Sequence, residues 1–214
     1  MNRRVFRIAL MVLYMTGGTA VMAAQDPGAI VRRVERTIEH LETLQCTFER
    51  THFMKEADRA VRFSGTLTMK RPYRLRVEYP AQTIVVDGES VWVYAPKNRQ
   101  VRVSTFIADE ETFPTPQGIF GRYARDREIK NAGLEDIGGR TCDVLELVTK
   151  KPGDVQVTVW IDRDLGFPVK TMETFQNGDS VTFVLGDTVI NEPIGDEVFT
   201  FHVPEGVELI DLRE

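Results

Sequence analysis

Two rhythms run along this chain. Over residues 26–44, "DPGAIVRRVERTIEHLETL", Val31, Val34, Ile38 and Leu41 recur at helical spacing, with Arg32, Arg33, Glu35, Arg36, Glu39 and Glu42 off the stripe. That spacing predicts one amphipathic helix lying on an apolar surface. Asp26 can cap it, and Pro27 suits its first position, where the missing N–H costs nothing. After it the period falls to two. "FSGTLTM" (63–69) sets Phe63, Leu67 and Met69 against Ser64, Thr66 and Thr68. "YRLRVEY" (73–79) sets Tyr73, Leu75, Val77 and Tyr79 against Arg74, Arg76 and Glu78. Residues 81–104 read as three strands with tight turns at Asp87-Gly88 and Pro96-Lys97-Asn98. Further strands are expected over 141–149, 155–162, 167–175 and 180–190, separated by "KPGD", "RDLG" and "NGD". The whole is an antiparallel meander of about ten strands.

One segment interrupts the meander. Residues 105–125, "TFIADEETFPTPQGIFGRYAR", carry two prolines, two glycines and the apolar side chains Phe106, Ile107, Phe113, Ile119 and Phe120, with Tyr123 beside them. Thr115 can cap a short helix that starts at Pro116 and presents Ile119, Phe120 and Tyr123 together. Such an insertion is either a buried corner or a movable cover. A sheet that is apolar on one face must cover that face, and little helix is available to do so. The pattern fits a filled core and a lipid-sized cavity alike. In the second case each methylene taken from water contributes about 0.8 kcal/mol, so one long acyl chain gains roughly 10 kcal/mol.

The first residues change the charge balance. Arg3, Arg4 and Arg7 precede an apolar run from Ile8 to Met15, then small residues ending in Ala23 and Ala24. This order reads as a secretory signal peptide, its apolar run far short of the roughly 20 residues of a spanning helix. The expected organisation is a signal peptide over 1–24 and a single domain over 25–214. No cysteine lies near the cleavage point, so a soluble product is expected. Without those three arginines the formal charge moves from −5 to −8. An acidic surface suits neither nucleic acid nor anionic lipid headgroups. Cys46 and Cys142 are an even pair in an exported chain; a disulfide and two buried thiols are both open.

No catalytic set stands out. His40, His52 and His202 are not paired at metal spacing, and GxSxG, HExxH, P-loop and GxGxxG motifs are missing. "DRDLG" (162–166) has only the opening of a calcium loop and reads as a hairpin turn. Neither enzymatic activity, a metal nor a cofactor is expected, although a spatial triad leaves no trace in one sequence.

The order of short motifs carries a resemblance. "GTLTMKRPYRLRVEYP", "IVVDGESVWVYAPKNRQV", "VWIDRDLGFPVKTME" and "FTFHVPEGVELI" follow one another. Gly65, Lys70-Arg71-Pro72, Tyr79, Asp87-Gly88, Trp92-Val93-Tyr94, Pro96, Gln100-Val101, Phe199-Thr200-Phe201, Pro204 and Gly206-Val207 mark the pattern, which resembles the LolA family of periplasmic lipoprotein carriers. The resemblance implies a mainly β fold: an incomplete, half-open antiparallel β-barrel covered by the N-terminal helix and a short lid helix. It implies a soluble, monomeric periplasmic protein whose apolar cavity takes the acyl chains of lipoproteins from an inner-membrane ABC transporter. The cargo then passes to an outer-membrane acceptor. The expected cavity wall is Phe63, Leu67, Met69, Tyr73, Leu75, Val77, Tyr79, Val91 and Val93. The expected lid and latch are Arg71, Phe113, Ile119, Phe120 and Tyr123. Arg71 matches the family's arginine that holds the lid shut and is needed for release. Folds of this kind also serve as sensing modules in envelope regulation and as carriers of other lipids, and both alternatives stay open here.

Overall fold

The computed structural model describes residues 25–108, 113–149 and 151–213, so the signal-peptide reading of residues 1–24 lies outside the described residues. Helix α1 spans Pro27–Glu39. The Asp26 carboxylate accepts from the Ala29 N–H at 3.0 Å, and Pro27 occupies the first turn, as the sequence predicts. Ile30 and Val34 are its fully buried positions. The helix ends five residues before Leu44, the expected last residue. His40 caps it, the Glu42 N–H is taken by the Asn191 side chain, and Thr43 Oγ1 donates to the Glu192 carbonyl. Leu41 keeps the helical stripe in the sequence because it is buried from the turn instead.

Twelve strands form one sheet: β1 (Thr43–Met54), β2 (Arg59–Lys70), β3 (Arg74–Tyr79), β4 (Gln82–Val86), β5 (Ser90–Ala95), β6 (Gln100–Thr105), β7 (Glu128–Ile137), β8 (Arg140–Val148), β9 (Gln156–Asp162), β10 (Phe167–Thr174), β11 (Ser180–Ile190) and β12 (Glu208–Asp211). Their order is β12-β6-β5-β4-β3-β2-β1-β11-β10-β9-β8-β7. The single meander expected from the sequence is therefore two, β1–β6 and β7–β11, joined where β1 pairs with β11. The sheet is also not wholly antiparallel, because β12 runs parallel to β6. Helix α2 (Pro116–Ala124) lies in the crossover between the two meanders. β12 and β7 remain as the two ends of the order, so the sheet is open, and with both helices against it the fold is a half-open barrel.

Alternation sends one set of side chains to the helix-covered face. Leu44, Cys46 and Phe48 of β1, Leu67 of β2, Val77 of β3 and Ile84 of β4 join Phe183 and Leu185 of β11 in one cluster. Leu145 and Leu147 of β8 and Val157, Val159 and Ile161 of β9 join Ile30 and Val34 of α1 and Ile119 and Phe120 of α2 in a second. Gly65 is needed where β2 and β3 approach, since a Cβ there would run into the Glu78 carbonyl. Behind β5, the Trp92 ring stacks on Phe201 of the C-terminal segment at 5.7 Å.

Candidate functional site

A cavity of about 600 Å³ lies between the C-terminal end of α1, the strands β2–β4 and α2. Its volume falls inside the range of roughly 300–1,000 Å³ typical of small-ligand sites. Leu41, Met69, Leu75, Val86, Phe106 and Phe113 supply apolar wall. Phe113 enters from the segment before α2 and packs among Phe48, at 5.3 Å, and Phe183, at 6.0 Å. That ring fixes the start of α2 to the β1–β11 seam.

Helix α2 forms as the sequence predicts: the Thr115 hydroxyl accepts from the Gly118 N–H at 3.2 Å, and Pro116 opens the helix. Its apolar side does not face the cavity. Ile119 and Phe120 are buried against β8 and β9, and Tyr123 donates to the Glu173 carboxylate at 2.9 Å. Burial, together with that carboxylate, pushes the Tyr123 phenol up from its ordinary value. The side of α2 that meets the cavity carries Gln117, Gly118, Gly121, Arg122 and Arg125. A Cβ on Gly121 would meet nothing within 4 Å. Gln117 Oε1 is buried with no hydrogen-bond partner among the described residues.

Of the expected wall, Met69, Tyr73 and Leu75 line the cavity. Leu67 and Val77 lie fully buried in the first core cluster, and Phe63, Tyr79, Val91 and Val93 pack against that cluster. Tyr73 is not in β3. It sits in the preceding turn with φ +61°, 57% exposed, its ring 5.4 Å from Phe106. Of the expected lid group, only Arg71 and Phe113 line the cavity. The Arg71 guanidinium grips a helix end: Nη1 donates to the Glu39 carbonyl and Nη2 to the Ile38 carbonyl, both at 2.7 Å. Both carbonyls belong to the last turn of α1, where intrahelical donors run out, although that of Ile38 also accepts from the Leu41 N–H at 3.3 Å; a rigid fork of donors suits them. The held helix is α1 and not α2.

The basic rim is wider than the Arg71 latch that the resemblance implies. Lys70, Arg74, Arg122 and Arg125 border the same cavity as Arg71. Lys70 Nζ donates to Asp196 at 2.6 Å and to the Ile194 carbonyl at 2.7 Å, and Arg74 reaches Asp196 at 3.5 Å. The Lys70 hydrogen bond holds the Asp196 carboxyl below its ordinary range. The signal was the repeated placing of cations beside apolar wall residues at 69–75 and 117–125.

Cys46 and Cys142 are both free and buried. Cys46 belongs to the first core cluster, whereas Cys142 lies with Trp160 and Val169 in a third. Cys142 stands an odd number of positions from Leu145 and Leu147 along β8, hence on the other side of the sheet. Among the described residues no group of His, Cys, Asp and Glu could hold a metal ion, and no helix is long and apolar enough to cross a membrane.

The sequence profile of the family described as "Outer membrane lipoprotein carrier protein LolA" matches residues 39–202. The chain belongs to the LolA family. Among relatives, the outer-membrane lipoprotein carrier protein of Pseudomonas paraeruginosa is 27% identical over 209 residues, covering 94% of this chain and 96% of its own. Two solved structures share the fold of this LolA-family chain. An uncharacterised conserved protein from Thermus thermophilus matches with TM-score 0.57 at 12% identity, over 87% of this chain and 99% of its own. MucB, solved in complex with MucA(peri), matches with TM-score 0.54 at 15% identity, over 83% of this chain and 60% of its own.

Proposed function

We propose that this protein is a periplasmic carrier that shields the acyl chains of lipoproteins in the α1–α2 cavity and moves them from inner to outer membrane. The apolar cavity, bounded by both helices in a chain of the carrier family, carries this reading. Residues 1–24 act as the signal peptide and 25–214 as one carrier domain working as a soluble monomer. An inner-membrane ABC transporter loads it and an outer-membrane acceptor empties it. The work is binding and release, with no bond made or broken in the cargo. Arg71 is the latch: while it holds the Ile38 and Glu39 carbonyls, α1 cannot leave the cavity mouth.

Two measurements test the reading. Mass spectrometry of the natively purified protein is expected to find acylated cargo, and delipidated protein is expected to take up a fluorescent acyl probe. A protein that holds neither is not such a carrier. In a transfer assay, Arg71→Leu is expected to load cargo but fail to deliver it. Normal delivery by that variant would remove the latch role.

A further inference from the structure

The overall charge of −5 argues against anionic ligands, but the cavity mouth departs from it. Lys70, Arg71, Arg74, Arg122 and Arg125 border the cavity, and its described lining holds no carboxylate. For Lys70, Arg71 and Arg74 the partners do not cancel this charge. Arg71 spends its donors on neutral carbonyls. Lys70 and Arg74 share the single carboxylate of Asp196. Arg122 lies 5.8 Å from the Tyr123 ring, and Arg125 caps α2 in an exposed position. Aromatic surface adjoins them: exposed Tyr73 at the mouth and half-buried Phe106 against it. Asp109, Glu110 and Glu111 lie outside the described residues, so the test below uses the full chain with them in place.

From this arrangement we propose that the site takes a lipid whose headgroup is anionic, with its chain in the cavity and its phosphate or carboxylate against the arginine rim. A guanidinium matches such oxygens through paired donors, and aromatic side chains suit the boundary between chain and headgroup. Gln117 Oε1, buried and with no partner among the described residues, offers an acceptor for a hydroxyl of a glycerol backbone. The proposal rests on the carrier reading, since it needs the cavity to hold an acyl chain, and adds to it a preference among chains bearing different heads.

The test compares binding of three monomeric probes with one palmitoyl chain: lysophosphatidylglycerol (anionic), lysophosphatidylcholine (zwitterionic) and monopalmitoylglycerol (uncharged). The expected result is at least a tenfold preference for the anionic probe at low salt, shrinking in high salt. In Arg74→Gln/Arg125→Gln that preference is expected to be lost, since each arginine removed costs about fivefold. Circular dichroism confirms that the variant is folded, and Arg125→Gln alone serves if the pair is not. If all three probes bind equally, the inference fails while the carrier reading stands. If none binds, both fail. Two further results would overturn the proposal: competition by glycerol 3-phosphate as strong as by the lysolipid, marking a free phosphate-ester site, and binding seen only to intact anionic vesicles, marking a membrane-docking surface.

Discussion

Asp143 lies fully buried on β8, with Arg33 of α1 at 2.7 Å and Arg163 at 3.6 Å. A buried carboxylate that loses a partner keeps its desolvation cost without the compensating attraction. Arg33→Ala is therefore expected to destabilise the protein by about 3 kcal/mol, read as a lower urea midpoint with unchanged slope. A loss below about 0.5 kcal/mol would mean that Arg163 suffices alone. The sequence did not disclose this pair, because its members are 110 positions apart and each looks like an ordinary polar-face residue. The thiols give a second residue-scale expectation. Burial pushes Cys46 up to about 12 and, with nearby Asp162, Cys142 up to about 11. An unfolded thiol ionises near pH 9, so folding favours the neutral form. Their contribution is whole below pH 9 and is lost as pH rises toward 11 and 12. At about pH 8 neither should react with iodoacetamide until the protein is unfolded, and rapid labelling of the native state would refute this.

At the scale of an element, α2 was legible in its existence and start but not in its orientation. Thr115 and Pro116 announce the helix, and Ile119, Phe120 and Tyr123 share one side of it, expected within the lid group. Periodicity shows that three side chains share a face; it does not show which of two apolar surfaces receives them. Here β8 and β9 receive them, and the glycine side is left to the cavity. Gly121→Ala should stabilise the protein by about 0.5–1 kcal/mol, since a helix interior favours alanine and the added methyl meets open space. Gly121→Phe should fill the cavity and weaken acyl-probe binding at least tenfold with the fold retained. Unchanged probe affinity in that variant would place the ligand elsewhere. Phe113 was legible as a bulky apolar residue, and its packing against the distant rings of Phe48 and Phe183 became apparent only with the β1–β11 pairing.

Across the whole molecule, most strands followed from alternation and turn chemistry, because hairpin neighbours are set locally. β1 was hidden by the helical stripe that Leu41 prolongs, and β12 by its shortness. The cavity itself was undecidable from pattern, since a wall and a core use the same residues; Met69 and Leu75 are lining, while Leu67 and Val77 on the same strands are packed. An occupied cavity should be measurable globally. At a ligand concentration of about one hundred times Kd the folded state gains about 2.7 kcal/mol, which for a domain of this size raises Tm by roughly 5–10 °C. No shift with a saturating acyl ligand would count against occupancy. The seam between the meanders also dictates a schedule. Leu44 pairs with Ile190 and Phe48 with Leu185, so one flank of the earliest strand waits for nearly the last. As the chain leaves the ribosome, the two sheet halves can form hairpins, yet the barrel's shape must await the arrival of Ile190. Until then one flank of β1 stays unzipped, a border open to any passing strand.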